Sequence, residues 1–136
     1  MSNDRKGNLM TKVTISTENA PAPVAAYAQA ARKGNILQVA GQVSIDPKTG
    51  EVVGTTVAEQ ARQTVRNLEA VLDGAGASLD DVVMMRVYLT DTAHFAEFNE
   101  TYNALVREPF AARTTVYVGL PAGLLVEIDA LAVLDS

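Results

Sequence analysis

The segment from Leu124 to Leu134, LLVEIDALAVL, constrains the fold more than any other part of this chain. Its aliphatic and β-branched residues read as a strand. Alternation puts Leu125, Glu127, Asp129, Leu131 and Val133 on one face, and Val126, Ile128, Ala130, Ala132 and Leu134 on the other. Both faces are largely apolar, so both need cover. Elsewhere, two segments carry a helical stripe. Ala58, Ala61, Val65, Leu68 and Leu72 recur at three- and four-residue spacing in the first; Phe95, Phe98, Tyr102 and Leu105 do so in the second. Two helices on one side leave the far face of a sheet bare. A homo-oligomer is the economical way to cover it.

The remaining elements follow from local signals. Thr56 and Glu59 form a capping box before the first helix, and Gly74 and Gly76 supply its stop. Glu59, Arg62, Arg66 and Glu69 make its solvated face. The second helix begins near Thr92, capped by Asp91 or Thr92, and ends before Pro109. Strand patterns occupy Val13 to Ile15, Ile36 to Val39, then after Gly41 the residues Val43 and Ile45 in alternation with Gln42 and Ser44, Val82 to Leu89, and both sides of Gly119-Leu120-Pro121-Ala122-Gly123. Tyr27 to Ala31 is ambiguous alone, and Lys33-Gly34-Asn35 reads as a hairpin turn. The order is β-β-β-α-β-α-β-β. It predicts an α+β domain with two helices on one face of a mixed sheet. At 136 residues the chain is expected to be one domain, residues 12–136, preceded by a polar arm over residues 1–11.

Composition excludes several chemistries. There is no Cys and a single His, His94, so disulfides, thiolate nucleophiles and Cys- or His-rich metal sites drop out. No G-x-S-x-G turn is present to expose a nucleophilic Ser. The net charge of −5 carries no basic footprint, so no nucleic-acid partner is expected. The apolar run from Ala130 to Leu134 is far too short to span a membrane. MSNDRKGNLM lacks a secretory apolar core, and a cytoplasmic location is the default expectation.

Two charged residues stand out in the C-terminal strands. Arg113 lies at the mouth of the first, and Glu127 sits among Leu124, Leu125, Val126 and Ile128 in the second. A carboxylate in an apolar strand costs free energy unless it is hydrogen-bonded or paired. An Arg offers a planar fork suited to a carboxylate. Either the two hold each other, or together they hold a small molecule. The plainer reading of Arg113 is a strand-end Arg pairing with Glu108 or water; that of Glu127 is a solvated position beside Asp129. Tyr27 could line a pocket and donate a hydrogen bond, and Gly41 could admit a ligand close to the backbone. Asn99 lies one residue off the Phe stripe. Thr114 and Thr115 offer hydroxyls, although β-branched residues in a strand need no other reason.

Several segments together are similar to one family. ISTENAPAPVAAYAQ, VAGQVSIDPKTGEVVG, EQARQTVRNLEAVLDGAGASLDDVV, FAEFNETYNALV, ARTTVYVGLP and VEIDALAV occur in order from about Lys12 to Leu134. They resemble the RidA/YjgF family of small imine deaminases. The resemblance implies a chorismate-mutase-like α+β fold and a homotrimer, its three sheets forming a central barrel with a cleft at each subunit interface. It implies hydrolysis of 2-imino acids (2-iminobutanoate, 2-iminopropanoate) to 2-keto acids and ammonia, without a cofactor. Arg113 then matches the residue that grips the substrate carboxylate, and Glu127 the residue that positions the attacking water. Tyr27, Gly41, Asn99 and Thr115 match positions that line the cleft. Many relatives carry Cys where this chain has Thr115, and Pro where it has Ala111, so the mouth of the cleft is expected to differ. The alternative is a trimer that binds or senses a small carboxylate, such as a 2-keto acid, without useful turnover.

Overall fold

The computed structural model describes residues 11–135. The predicted arm over residues 1–11 therefore falls, apart from Thr11, outside the described residues. The elements are β1 (Val13–Ile15), β2 (Ala30–Lys33), β3 (Ile36–Val43), α1 (Val57–Gly74), β4 (Val82–Leu89), α2 (Phe95–Leu105), β5 (Ala112–Tyr117) and β6 (Val126–Val133). They form one six-stranded sheet in the order β1-β2-β3-β6-β4-β5. Neighbours are antiparallel except β4 and β5, which run parallel. The α+β class and the mixed sheet are as the sequence predicts. No helix among the described residues is long and apolar enough to cross a membrane.

Helix α1 begins where the local signals put it. The Thr56 hydroxyl accepts from the Glu59 N–H at 3.2 Å, and Glu59 reaches back to the Thr56 N–H at 3.2 Å. It ends in a Schellman arrangement: Ala77 N–H donates to Leu72 O at 2.8 Å and Gly76 N–H to Asp73 O at 3.0 Å. Gly76 takes the positive φ of 75° which that ending requires. The inner face of α1 also buries polar side chains that the apolar stripe does not reveal. Gln60 Nε2 donates to Gly54 O and Gly123 O, while Gln60 Oε1 accepts from the Leu125 N–H. Asn67 Nδ2 donates to Val43 O and Ile45 O. These buried amides replace water for backbone groups in three loops, so each is satisfied rather than costly.

Helix α2 starts later than expected. Asp91 caps a single 3-10 turn, Thr92–His94, and the α-helix proper begins at Phe95. Within its stripe Phe98 and Tyr102 are buried, but Phe95 remains 41% exposed.

The core lies between the helices and one face of the sheet. Leu37, Val39, Met85, Val87, Leu89, Val126, Ile128, Ala130 and Ala132 meet Val65, Leu68, Leu72 and Phe98 there. Among the described residues the opposite face carries no helix. Its lateral pairs are Gln38–Leu131, Met84–Leu131, Arg86–Asp129, Tyr88–Glu127 and Ile36–Val133. The expectation of two largely apolar faces on the last strand therefore holds only toward its C-terminal end, at Leu131 and Val133. In the middle, cross-strand partners supply the polar groups that Asp129 needs.

Candidate functional site

Strand β5 is an edge strand, and its register decides where Arg113 goes. Arg113 sits opposite Met85, on the helix-covered face. There its guanidinium meets the side of α2. The carbon centre lies 5.9, 5.4 and 4.8 Å from the ring centroids of Phe95, Phe98 and Tyr102. Those rings are brought to one side by their helical spacing, and their negative π faces attract the cation. The fork is fixed at its edges too. Nη2 donates to Asn99 Oδ1 at 2.6 Å, and Nε donates to Thr115 Oγ1 at 3.1 Å. No carboxylate among the described residues lies within ion-pair distance, and the plain pairing with Glu108 does not form. Both terminal nitrogens keep an uncommitted N–H, which leaves the end-on grip of a carboxylate open. A cavity of ≈ 580 Å³ lies beside Arg113 and Tyr102, walled by Leu79, Leu105, Phe110 and Ala111.

Glu127 is placed differently. It pairs laterally with Tyr88 and Val43, on the face away from the helices. Its side chain lies over Gly41, which occupies the bulge between Val39 and Gln42. A Cβ at position 41 would overlap Glu127 Oε2 and sit 2.8 Å from Cδ. Close approach of backbone to carboxylate thus explains the glycine without any unusual backbone angle. Burial raises the Glu127 pKa above the ordinary carboxylate range, and the negative charge of Asp129 raises it further. Arg113 and Glu127 leave opposite faces of one sheet, so within one chain they do not hold each other.

The predicted residues thus form two groups and one outlier. Arg113, Asn99 and Thr115 are joined by hydrogen bonds, and Glu127 and Gly41 are in contact. Tyr27 stands apart, 51% exposed, its hydroxyl accepting from the Val24 N–H at 3.4 Å. Sequence reasoning missed the ring shelf under Arg113. Phe95, Phe98 and Tyr102 read as core, and only the exposure of Phe95 hints at a second task. It also missed the network Gln38–Arg86–Asp129–Tyr88, whose members come from three strands far apart along the chain, β3, β4 and β6.

One substitution tests the Gly41 contact. Gly41→Ala should displace the Glu127 carboxylate, because the added methyl claims its space. The clash is with the flexible end of a side chain, so the fold should persist with an unchanged melting temperature. A reactive group moved by ~1 Å loses rate by about 10²-fold. An unaltered kcat for any reaction using Glu127 would show that the carboxylate is free to sit elsewhere.

Comparison with known proteins places this geometry. Residues 17–134 match a family model described as Endoribonuclease L-PSP. A RutC family protein of Pyrococcus horikoshii is 48% identical over 89% of this chain and 97% of its own length. The 2-iminobutanoate/2-iminopropanoate deaminase of Escherichia coli K12 is 43% identical over 88% of this chain and 96% of its own. Among solved structures, RidA from an Antarctic Psychrobacter superposes with a TM-score of 0.85 at 41% identity, covering 90% of this chain and 99% of that one. Escherichia coli TdcF with bound serine gives 0.84 at 34% identity, covering 89% of this chain and 98% of its own. With the match spanning both the ring-shelved arginine and the half-buried strand carboxylate, the chain belongs to the RidA/YjgF family.

Proposed function

We propose that this protein hydrolyses 2-imino acids such as 2-iminobutanoate and 2-iminopropanoate, as a homotrimer with a cleft between neighbouring copies. The observation that carries this reading is Arg113. Its fork is held on rings and two hydrogen bonds, yet its end-on N–H groups lack an acceptor among the described residues. Such preorganisation suits a small carboxylate. The 43% identity to a relative named as an imine deaminase supports the reaction class.

The chemistry needs little else. The imine carbon is electrophilic once the nitrogen is protonated. Arg113 would hold the substrate carboxylate and so fix that carbon. Glu127 would take a proton from water as the C–O bond forms, giving a carbinolamine. It would return that proton to the amino nitrogen, then take the hydroxyl proton as the C=O bond forms and the C–N bond breaks, and pass it to the departing ammonia, which leaves as ammonium beside the 2-keto acid. A carboxylate with a raised pKa is the better base for this at neutral pH. Because Arg113 and Glu127 lie on opposite faces of one sheet, we propose that the Arg113 of one copy meets the Glu127 of the next across the bare sheet face. Tyr27 would then reach the cleft from its exposed position.

Subunit mixing tests both parts. Arg113→Ala and Glu127→Gln should each be inactive on imine generated in situ. Co-expressed in equal amounts, they should recover about one quarter of wild-type activity, the statistical share of cleft sites with both groups intact in a cyclic assembly. No recovery, with hybrid oligomers confirmed by mass, would rule out a shared cleft. A second reading, binding without turnover, draws on the serine held by TdcF. On that reading wild type would bind a 2-keto acid but hydrolyse no imine, and Glu127→Gln would bind as tightly.

A further inference from the structure

The bare face of the sheet holds a charged cluster that the proposed chemistry does not use. Asp129 stands two residues from Glu127 on β6, on the same face. Arg86 Nε donates to Asp129 Oδ1 at 2.8 Å, and the Tyr88 hydroxyl donates to Asp129 Oδ2 at 2.6 Å. Arg86 is itself steadied by Gln38, whose Oε1 accepts from Nη2 at 3.1 Å. Gln38 is in turn tied down by donating to Val39 O and Ala130 O. Every side chain in the chain of contacts is therefore fixed by the next. Tyr88 is also the direct lateral partner of Glu127. A surface ion pair needs no such framework and is worth little by itself. This one clamps a negative charge beside a carboxylate that makes no hydrogen bond to a described residue.

We infer that Asp129 is a positioning residue for Glu127: a negative charge, clamped by Arg86 and Tyr88, that adjusts how readily Glu127 accepts and releases its proton. The inference rests on the acid–base role proposed for Glu127. The groups facing Glu127 can be followed element by element. On β6 there is Asp129; on β4 there are Tyr88 and, diagonally, Arg86; on β3 there are Gly41 and Val43, which carry no charge. The helices lie on the other face. In the proposed cleft the Arg113 of a neighbouring copy would be the further charge, common to all the variants below.

The signs are distinct. Asp129 disfavours the charged form of Glu127, and Arg86 offsets part of that effect. Asp129→Asn keeps an acceptor oxygen for Arg86, lets the Tyr88 hydroxyl turn to accept from the amide N–H, and deletes the charge, so Glu127 should titrate at lower pH. Arg86→Gln leaves Asp129 uncompensated, so Glu127 should titrate at higher pH. The measurement is the carboxyl carbon NMR shift of Glu127 against pH in wild type and both variants, with Glu127→Gln to assign the signal. The acid limb of the kcat profile should move with it, downward in Asp129→Asn and upward in Arg86→Gln. Raised salt should shrink both displacements. Displacements in the same direction, or none in either variant, would overturn the inference and leave the cluster a structural brace. The NMR titration needs no turnover. Absence of imine hydrolysis by wild type would therefore defeat the proposed function, while the titration would still decide the coupling.

Discussion

Replacing Arg113 with alanine should lower kcat/KM for 2-imino acids by at least about 10²-fold while the assembly stays intact. Hydrogen bonds to a charged group contribute about 1.5–3 kcal/mol each, and an end-on grip makes two. Each 1.4 kcal/mol is a factor of ten, so even the lower end gives the stated loss. The side chain has no ion-pair partner to orphan among the described residues. Its removal exposes the faces of Phe95 and Tyr102 but leaves no buried charge behind. Arg113→Lys is the sharper control. An ammonium keeps the charge, yet it cannot bond Asn99 and Thr115 together and still present two parallel donors. It should lose most of the same activity. The check is steady-state kinetics beside a sedimentation or scattering measurement of the oligomer. Undiminished turnover in Arg113→Ala would remove the carboxylate grip from the mechanism.

Phe98→Ala should destabilise the chain by about 3–5 kcal/mol, the usual cost of emptying a buried aromatic site. Phe98 is fully buried against the core, with Tyr102 at a ring centroid distance of 5.5 Å. For a chain of this length the melting temperature should fall by ~10 °C or more. The same change takes away the middle ring of the shelf beneath Arg113. Kinetic damage should therefore appear even at temperatures where the variant is folded. Chemical denaturation gives the first number, and kcat/KM on the folded variant gives the second. Phe98→Leu fills most of the volume and should restore stability more fully than it restores activity. Equal recovery of both would mean that the ring matters only as filler.

Much of the fold was legible because its signals are local. The capping box at Thr56 and Glu59 involves residues three apart, and β4 is bounded as its run of strand formers suggests. Sheet order was not legible. That β6 lies between β3 and β4 depends on pairings such as Val39–Ala130 and Val87–Ile128, which no nearby residue announces. The start of α2 was misjudged because Asp91 does cap a turn, but a 3-10 one.

The site divides in the same way. Arg113 and Glu127 were conspicuous as charges in apolar strands. What surrounds them was not. The spacing of Asn99 said only that it lies one residue off the Phe stripe, and the resemblance only that it lines the cleft, yet it bonds Arg113 across 14 positions. Asp129 read as a second solvated carboxylate, yet Arg86 reaches it across 43 positions. Register explains both cases. A shift of one residue in β5 would send Arg113 to the other face, and the sequence does not state that register.

The sheet that separates Arg113 from Glu127 also separates synthesis from activity. On the proposed reading, a newly released chain owns both reactive groups but no working cleft. Chains that misfold, arrive truncated or fail to find siblings remain chemically silent. Assembly then serves as an inspection step, and output should rise more steeply than in proportion to the amount of chain made while siblings are scarce.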